Sequence, residues 1–248
     1  MRNWPDKDSD PQGLANEELG PNEVWDKGEA YMLQLLKPLT LIDRLKCWNA
    51  VGSWKDDHAY YHRYYTNIMN SYSNLEKHPI LLGILGYALA IGNILNAGSN
   101  KGQSDGFETQ CINKLNSMKD NTGRSMLKYI LEKMYAQNED LHDDLKELQK
   151  SLNHKDLSVK SLDDKTRELG GQFGTTETHF KNIQNSDEPF DKFQEIFRDK
   201  VEEMSHENDE YKKMITEMKE KHAWMCVYWG IDKNDECNEK SEDFFKIF

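Results

Sequence analysis

Apolar residues return along the second half of this chain at alternating steps of four and three. From Leu141 the series runs through Leu145, Leu148, Leu152, Lys155, Val159, Leu162, Thr166, Leu169, Phe173, Thr176, Phe180 and Ile183. Ten of these thirteen positions are apolar. That is the spacing of a helix that buries one narrow stripe and leaves the rest of its surface wet. A second series falls every seven residues at Phe190, Phe197, Met204, Tyr211, Met218 and Met225, with Phe193, Met214 and Tyr228 beside it. Neither Gly nor Pro occurs from Arg124 to Leu169 or from Phe190 to Trp229. Long helices tolerate that composition, and turn-rich β folds rarely show it. Gly170, Gly171 and Gly174 interrupt the first series and predict a kink, or a turn that splits it.

The first half is more broken. Its pattern predicts helices over Val24–Leu36, Leu39–Trp48 and Asp56–Leu75, the last rich in Tyr. Pro79, suited to a first helical turn, starts another that ends near Asn96. A Gly/Ser/Asn loop follows over Ala97–Asp105, then short helices over Gly106–Met118 and Arg124–Tyr135. Residues 1–22 read as a loose acidic leader. No segment reads as a strand. The expected fold is all-α, an elongated helical bundle with long coiled-coil-like helices. The one strongly apolar run, Ile80–Ile91, is twelve residues long. A membrane span needs about 20 residues, so a core helix is expected and no membrane span.

Composition sharpens this picture. The 248 residues carry 44 Asp and Glu against 32 Lys and Arg, a formal net charge of −12. That excess works against a general grip on nucleic acid or anionic lipid. The 6 Trp, 11 Tyr and 9 Phe are too many for a solvated tail, so the charge belongs to exposed helix faces. Cys47, Cys111, Cys226 and Cys237 form no CxxC pair. No apolar signal-peptide core opens the chain. A reduced cytosolic compartment is the expected one.

Candidate chemistry is sparse. Lys101 precedes Gly102 in a loop that follows a helix, so the phosphate-cradle pattern is missing. His58 and His62 are four apart but lack a third ligand, and four tyrosines surround them. Asp6–Asp10 and Asp232–Glu236 begin like calcium loops, but carry Pro11 and Cys237 where such a loop needs Gly. No nucleophile, acid–base pair, metal set or cofactor motif converges, so the chain is not expected to be an enzyme. One constellation does stand out: Gly92-Asn93-Ile-Leu-Asn96-Ala-Gly98 at the end of the apolar helix, then Gly106-Phe107, then Lys114-Leu115. Physically it reads as a capped corner. The Asn side chains are expected to satisfy carbonyls at the helix end. Gly98 is expected to permit the reversal, and Phe107 to return the chain to the core.

This corner resembles the signature of the formin homology two domain, G-N-x-x-N-x-G followed by G-F and K-L. Glu29, Tyr31 and Leu35 are similar to the family's E-x-F-x-x-x-L helix, and Arg44-Leu45 to its R-L pair. Met126–Ile130 resembles the leucine-rich helix after the K-L. Tyr228 with Glu242–Phe245 resembles the closing Y…E-x-F-F segment. The resemblance covers about residues 20–248. It implies a knob remnant at about 23–75, a post at about 76–135 and long coiled-coil helices at about 136–248, all within one domain over 23–248. It implies an actin-binding domain associated with filament nucleation and barbed-end elongation, truncated and weakened, in the cytoplasm and cytoskeleton. Expected partners are actin and a second formin chain. Gly92, Asn93, Asn96, Gly98, Gly106, Phe107 and Leu115 would form the post pocket that takes a partner chain's Trp-bearing lasso. Lys114 and Lys101 would touch actin. The lasso, the linker and most of the knob have no counterpart in these residues. The second reading open at this point is a coiled-coil scaffold without actin binding, built on the two heptad series.

Overall fold

The computed structural model describes residues 25–36, 40–152, 158–187, 190–232, 235–238 and 240–247. The described elements are helical: α1 (Lys27–Leu36), α2 (Leu41–Lys77), α3 (Pro79–Leu95), a 3-10 segment (Thr109–Lys114), α4 (Met126–Tyr135), α5 (Leu141–Leu152), α6 (Val159–Gln184), α7 (Lys192–Tyr228), a short 3-10 turn (Glu236–Asn238) and α8 (Ser241–Phe245). The chain is all-α, with no strand beyond isolated bridges among the described residues. The leader over 1–22 and Lys155 lie outside them.

The heptad series are the buried stripes. In the first, Leu141, Leu148, Val159, Leu162, Thr166, Leu169, Thr176, Phe180 and Ile183 are buried. In the second, Phe197, Met204, Tyr211, Met218 and Met225 are buried, while Phe190 is 61% exposed. Three expectations change. The glycines at 170, 171 and 174 lie within one continuous α6. A Cβ on Gly170 would sit at ordinary van der Waals distance, 3.6 Å, from Asn208 Oδ1, and one on Gly171 or Gly174 would meet nothing within 4 Å, so no contact there requires glycine. The two helices expected over Leu39–Trp48 and Asp56–Leu75 are one, α2. Cys47, Trp54, Tyr61, Ile68 and Leu75 recur every seven residues along it, each at most 3% exposed. Packing of that stripe outweighs the roughly 1 kcal/mol that Gly52 costs in a helix interior. The helix expected over Gly106–Met118 is only the 3-10 segment.

The chain divides into two units, residues 1–58 with 167–210, and 59–166 with 211–248. In the first, Cys47, Phe180, Ile183 and Phe197 form the core, with Val51, Phe193 and Val201 against it. The Phe193 and Phe197 rings stack at 4.2 Å. Arg44 caps that stack, 4.9 Å above Phe193, and pairs with Asp191 at 2.7 Å. Burial, with Asp43 adding to it, pushes the Cys47 thiol up to about 11, so it is an inert packing group.

In the second unit, Ile80, Ile84, Ala88, Leu115, Ile130, Met134 and Leu141 form one core cluster. One face of α3, through Ile80, Leu81, Ile84 and Ala88, therefore serves as a core face, while Leu82, Ile94 and Leu95 stay exposed. A separate polar layer lies elsewhere in this unit. Tyr61 Oη meets Thr166 Oγ1 at 2.7 Å and donates to the Tyr211 carbonyl. Tyr72 Oη lies 2.8 Å from His222 Nδ1, and His222 Nε2 lies 2.9 Å from the Cys237 carbonyl. A carbonyl only accepts, so Nε2 carries the proton and Nδ1 accepts from the tyrosine. Burial holds the His222 pKa below its ordinary value. Phe244 and Phe245 pack on Tyr72, which ties the closing segment to this layer.

Candidate functional site

The Gly/Asn corner is built where α3 ends. Asn96 caps the helix, its N–H donating to Gly92 and Ile94 carbonyls. Ser99 returns two bonds to the Asn96 carbonyl, from its N–H at 3.0 Å and its hydroxyl at 2.8 Å. Gly98 then takes φ +81°, a conformation costly for any side chain. Gly102 is needed for a different reason: a Cβ there would come 2.7 Å from the Asn96 carbonyl oxygen. Asn93 reaches across the loop rather than along the helix. Its Nδ2 donates to the Ser104 carbonyl at 2.9 Å, and its Oδ1 accepts from the Ser104 N–H at 2.8 Å. The expectation that the Asn side chains satisfy helix-end carbonyls is therefore corrected: the Asn93 amide pairs with Ser104 in the loop, and Asn96 caps through its backbone N–H.

This loop forms one wall of a cavity of ≈ 180 Å³. The lining includes Gly92, Asn93, Asn96, Lys101, Gly106, Phe107, Lys114 and Leu115. Eight of the nine residues singled out in the sequence therefore converge on one concavity. Gly98 does not line it, and acts through the turn instead. Phe107 does not return to the core: it is 38% exposed and faces the cavity. The floor contains side chains the motif did not announce. Ala88 and Leu89 lie one turn before Gly92 on the same face of α3, and Cys111 and Met118 fall four residues before and three after the expected Leu115. Met126 has no such signal. It is brought in by a tight turn in which its N–H donates to the Met118 carbonyl at 2.8 Å. Asp120 pins that turn, accepting from the Thr122 hydroxyl and from the Thr122 and Arg124 amides. Those bonds, led by the Thr122 hydroxyl, hold its carboxyl at about 2.

The wall is mainly apolar, with amides at one side and two cations. Among the described residues, neither Lys101 nor Lys114 makes an ion pair, and both are exposed. A Cβ on Gly92 or Gly106 would meet nothing within 4 Å. At Gly92 the open space is the cavity itself, so the fold does not require glycine there. No group of three metal-ligating side chains gathers among the described residues. The arrangement is suited to receiving an apolar side chain beside a polar rim.

Comparison with known proteins bears on this corner. The family model Formin Homology 2 Domain matches residues 7–248. The chain is similar to Formin-G of Dictyostelium discoideum, 20% identical over 239 residues, or 96% of the chain and 22% of that protein. It is also similar to Protein diaphanous of Drosophila melanogaster, 25% identical over 166 residues, or 65% of the chain and 15% of that protein. The chain thus spans about a fifth or less of the length of these relatives.

Proposed function

The chain belongs to the Formin Homology 2 domain family, and on that premise we propose that it is an actin-binding, formin-type domain whose corner pocket receives a segment of a second formin chain. The observation that carries this reading is the convergence of Gly92, Asn93, Asn96, Gly106, Phe107 and Leu115 on one cavity. In this reading residues 23–75 are a knob remnant, 76–135 the post and 136–248 the long helices. Lys114 and Lys101 contact actin. On a chain of net charge −12, an acidic filament is met through such local cations. The domain acts in the cytoplasm on the actin cytoskeleton, without a cofactor or enzymatic step.

The scaffold reading is less well supported. It needs free heptad seams, and most seam residues of α6 and α7 are already buried. Co-sedimentation with actin filaments tests the choice. The wild-type chain is expected in the pellet, and Lys114→Asp is expected to weaken binding several-fold with an unchanged melting temperature. A chain that stays wholly in the supernatant, and that leaves pyrene-actin assembly and barbed-end growth unaltered, overturns the actin reading.

A further inference from the structure

The loop from Gly98 to Gly106 carries Lys101, Ser104 and Gly106 to the pocket wall, yet little in its own sequence holds it there. Its internal bonds are local: Gly102 N–H to Ser99, Lys101 N–H to the Ser99 hydroxyl, and the Ser104 hydroxyl to the Lys101 carbonyl. It also contains strain. Gln103 has φ +58°, a left-handed conformation that a side chain other than Gly, Asn or Asp rarely adopts. Such a residue persists only where its surroundings over-determine it. The group that does so is next in the chain. Ser104 is gripped through both its N–H and its carbonyl by the Asn93 amide, at 2.8 and 2.9 Å. Asn93 stands on α3, the opposite wall of the same cavity. Among the described residues it makes the only side-chain hydrogen bonds joining α3 to the far half of the loop.

We propose that Asn93 is a positioning residue: its paired bonds to Ser104 hold the strained loop as a fixed wall, so that the pocket stands preformed before an occupant arrives. This rests on the reading that the pocket receives a partner segment, and it says how that site is kept ready. A preformed wall spares the occupant the ordering cost of the loop. An amide suits the task because only it offers a donor and an acceptor side by side in neutral form. Alanine offers neither. Aspartate keeps the acceptor for the Ser104 N–H and loses the donor.

The test uses the full chain with methyl-labelled methionine. The probe is N-acetyltryptophanamide, a neutral indole, titrated while the Met118 and Met126 methyl signals are followed by NMR. Hydrogen exchange at the Ser104 amide is measured in parallel. Asn93→Ala is expected to speed Ser104 exchange at least tenfold and to weaken probe binding about tenfold, with the melting temperature little changed. Asn93→Asp, nearly isosteric, gives a smaller loss of the same sign and serves where the alanine variant fails to fold. Ser104 exchange unchanged in Asn93→Ala overturns the proposal, as does faster exchange with undiminished probe affinity. If the wild-type Met118 and Met126 signals do not move with the probe, the pocket reading itself falls, and the positioning role falls with it.

Discussion

Gly92 offers a test in which fold and function move in opposite directions. It lies in the last turn of α3, in helical conformation. Glycine in a helix interior is about 0.8–1 kcal/mol worse than alanine, and somewhat less in a terminal turn. A Cβ added there meets nothing within 4 Å, so no clash offsets the gain. Gly92→Ala should therefore stabilise the chain by roughly 0.5–1 kcal/mol, or about 1–4 °C in melting temperature for a chain of this size. Gly92→Leu extends the argument. It keeps the helix propensity and places four carbons in a cavity of ≈ 180 Å³. An occupant of the cavity then loses its seat, and binding of an indole probe should fall at least tenfold, equivalent to about 1.4 kcal/mol. Thermal unfolding followed by circular dichroism gives the first quantity. A probe titration read at the Met118 and Met126 methyls gives the second. A lower melting temperature in Gly92→Ala refutes this division, because the glycine would then serve the fold. The division is equally refuted if Gly92→Leu binds the probe as the wild type does.

Other consequences are direct. Phe197 is 2% exposed and stacked on Phe193, so Phe197→Ala should cost about 3–5 kcal/mol in denaturant titration. Gly171 lies within α6 with open space at its Cβ position, so Gly171→Ala should raise stability by roughly 0.5–1 kcal/mol, whereas a kink or turn there would make it destabilising. His222 has a folded pKa held below its unfolded value by burial. The unfolded chain therefore binds a proton that the fold resists, so stability is complete above about pH 6.5 and falls as the pH drops below it, by at most about 1.4 kcal/mol per unit. Unfolding curves between pH 7.5 and 5 should show that slope, and His222→Asn should flatten it.

The fold was legible wherever leucine, valine and phenylalanine marked a stripe, as along α6. It was not legible in α2, whose stripe is Cys47, Trp54, Tyr61, Ile68 and Leu75. Tyr and Trp occur on both buried and exposed faces, so they carry less positional information than Leu. The same holds for α7. Beside the apolar series runs a second buried line, Gln194, Asn208, Ile215, His222 and Trp229, spaced in multiples of seven. Two of its polar residues find partners outside the helix: Gln194 Nε2 donates to the Ile183 carbonyl, and Tyr72 donates to His222. Periodicity in one segment cannot foresee such partners. The turn expected at Gly170–Gly174 is overridden by packing on either side: Leu162, Leu169, Thr176 and Phe180 are all buried, and that stripe holds one helix through three glycines whose own propensity favours a break.

The candidate site shows the converse case. Gly and Asn at a helix end are constrained by local backbone chemistry, so the corner announced itself in a dozen residues. What those residues could not announce was the division of labour among them. Gly98 serves the backbone, Gly102 yields to the Asn96 carbonyl, and Gly92 leaves space that nothing in its own unit fills. A glycine with no local need, on the wall of an apolar cavity, keeps that wall open to whatever fills the cavity. Lys101 and Lys114 belong to the same argument. In an acidic chain, Lys219 and Lys221 each engage a carboxylate at 2.7 Å or less. Two lysines of one cavity rim left without an ion pair among the described residues leave their charge to act on a partner. Replacing both with glutamine should then leave the melting temperature unchanged, because no internal pair is lost. It should also reduce the salt dependence of filament binding, because the charges act between molecules. A loss of stability in that double variant would place the two charges in the service of the fold and remove them from the interface.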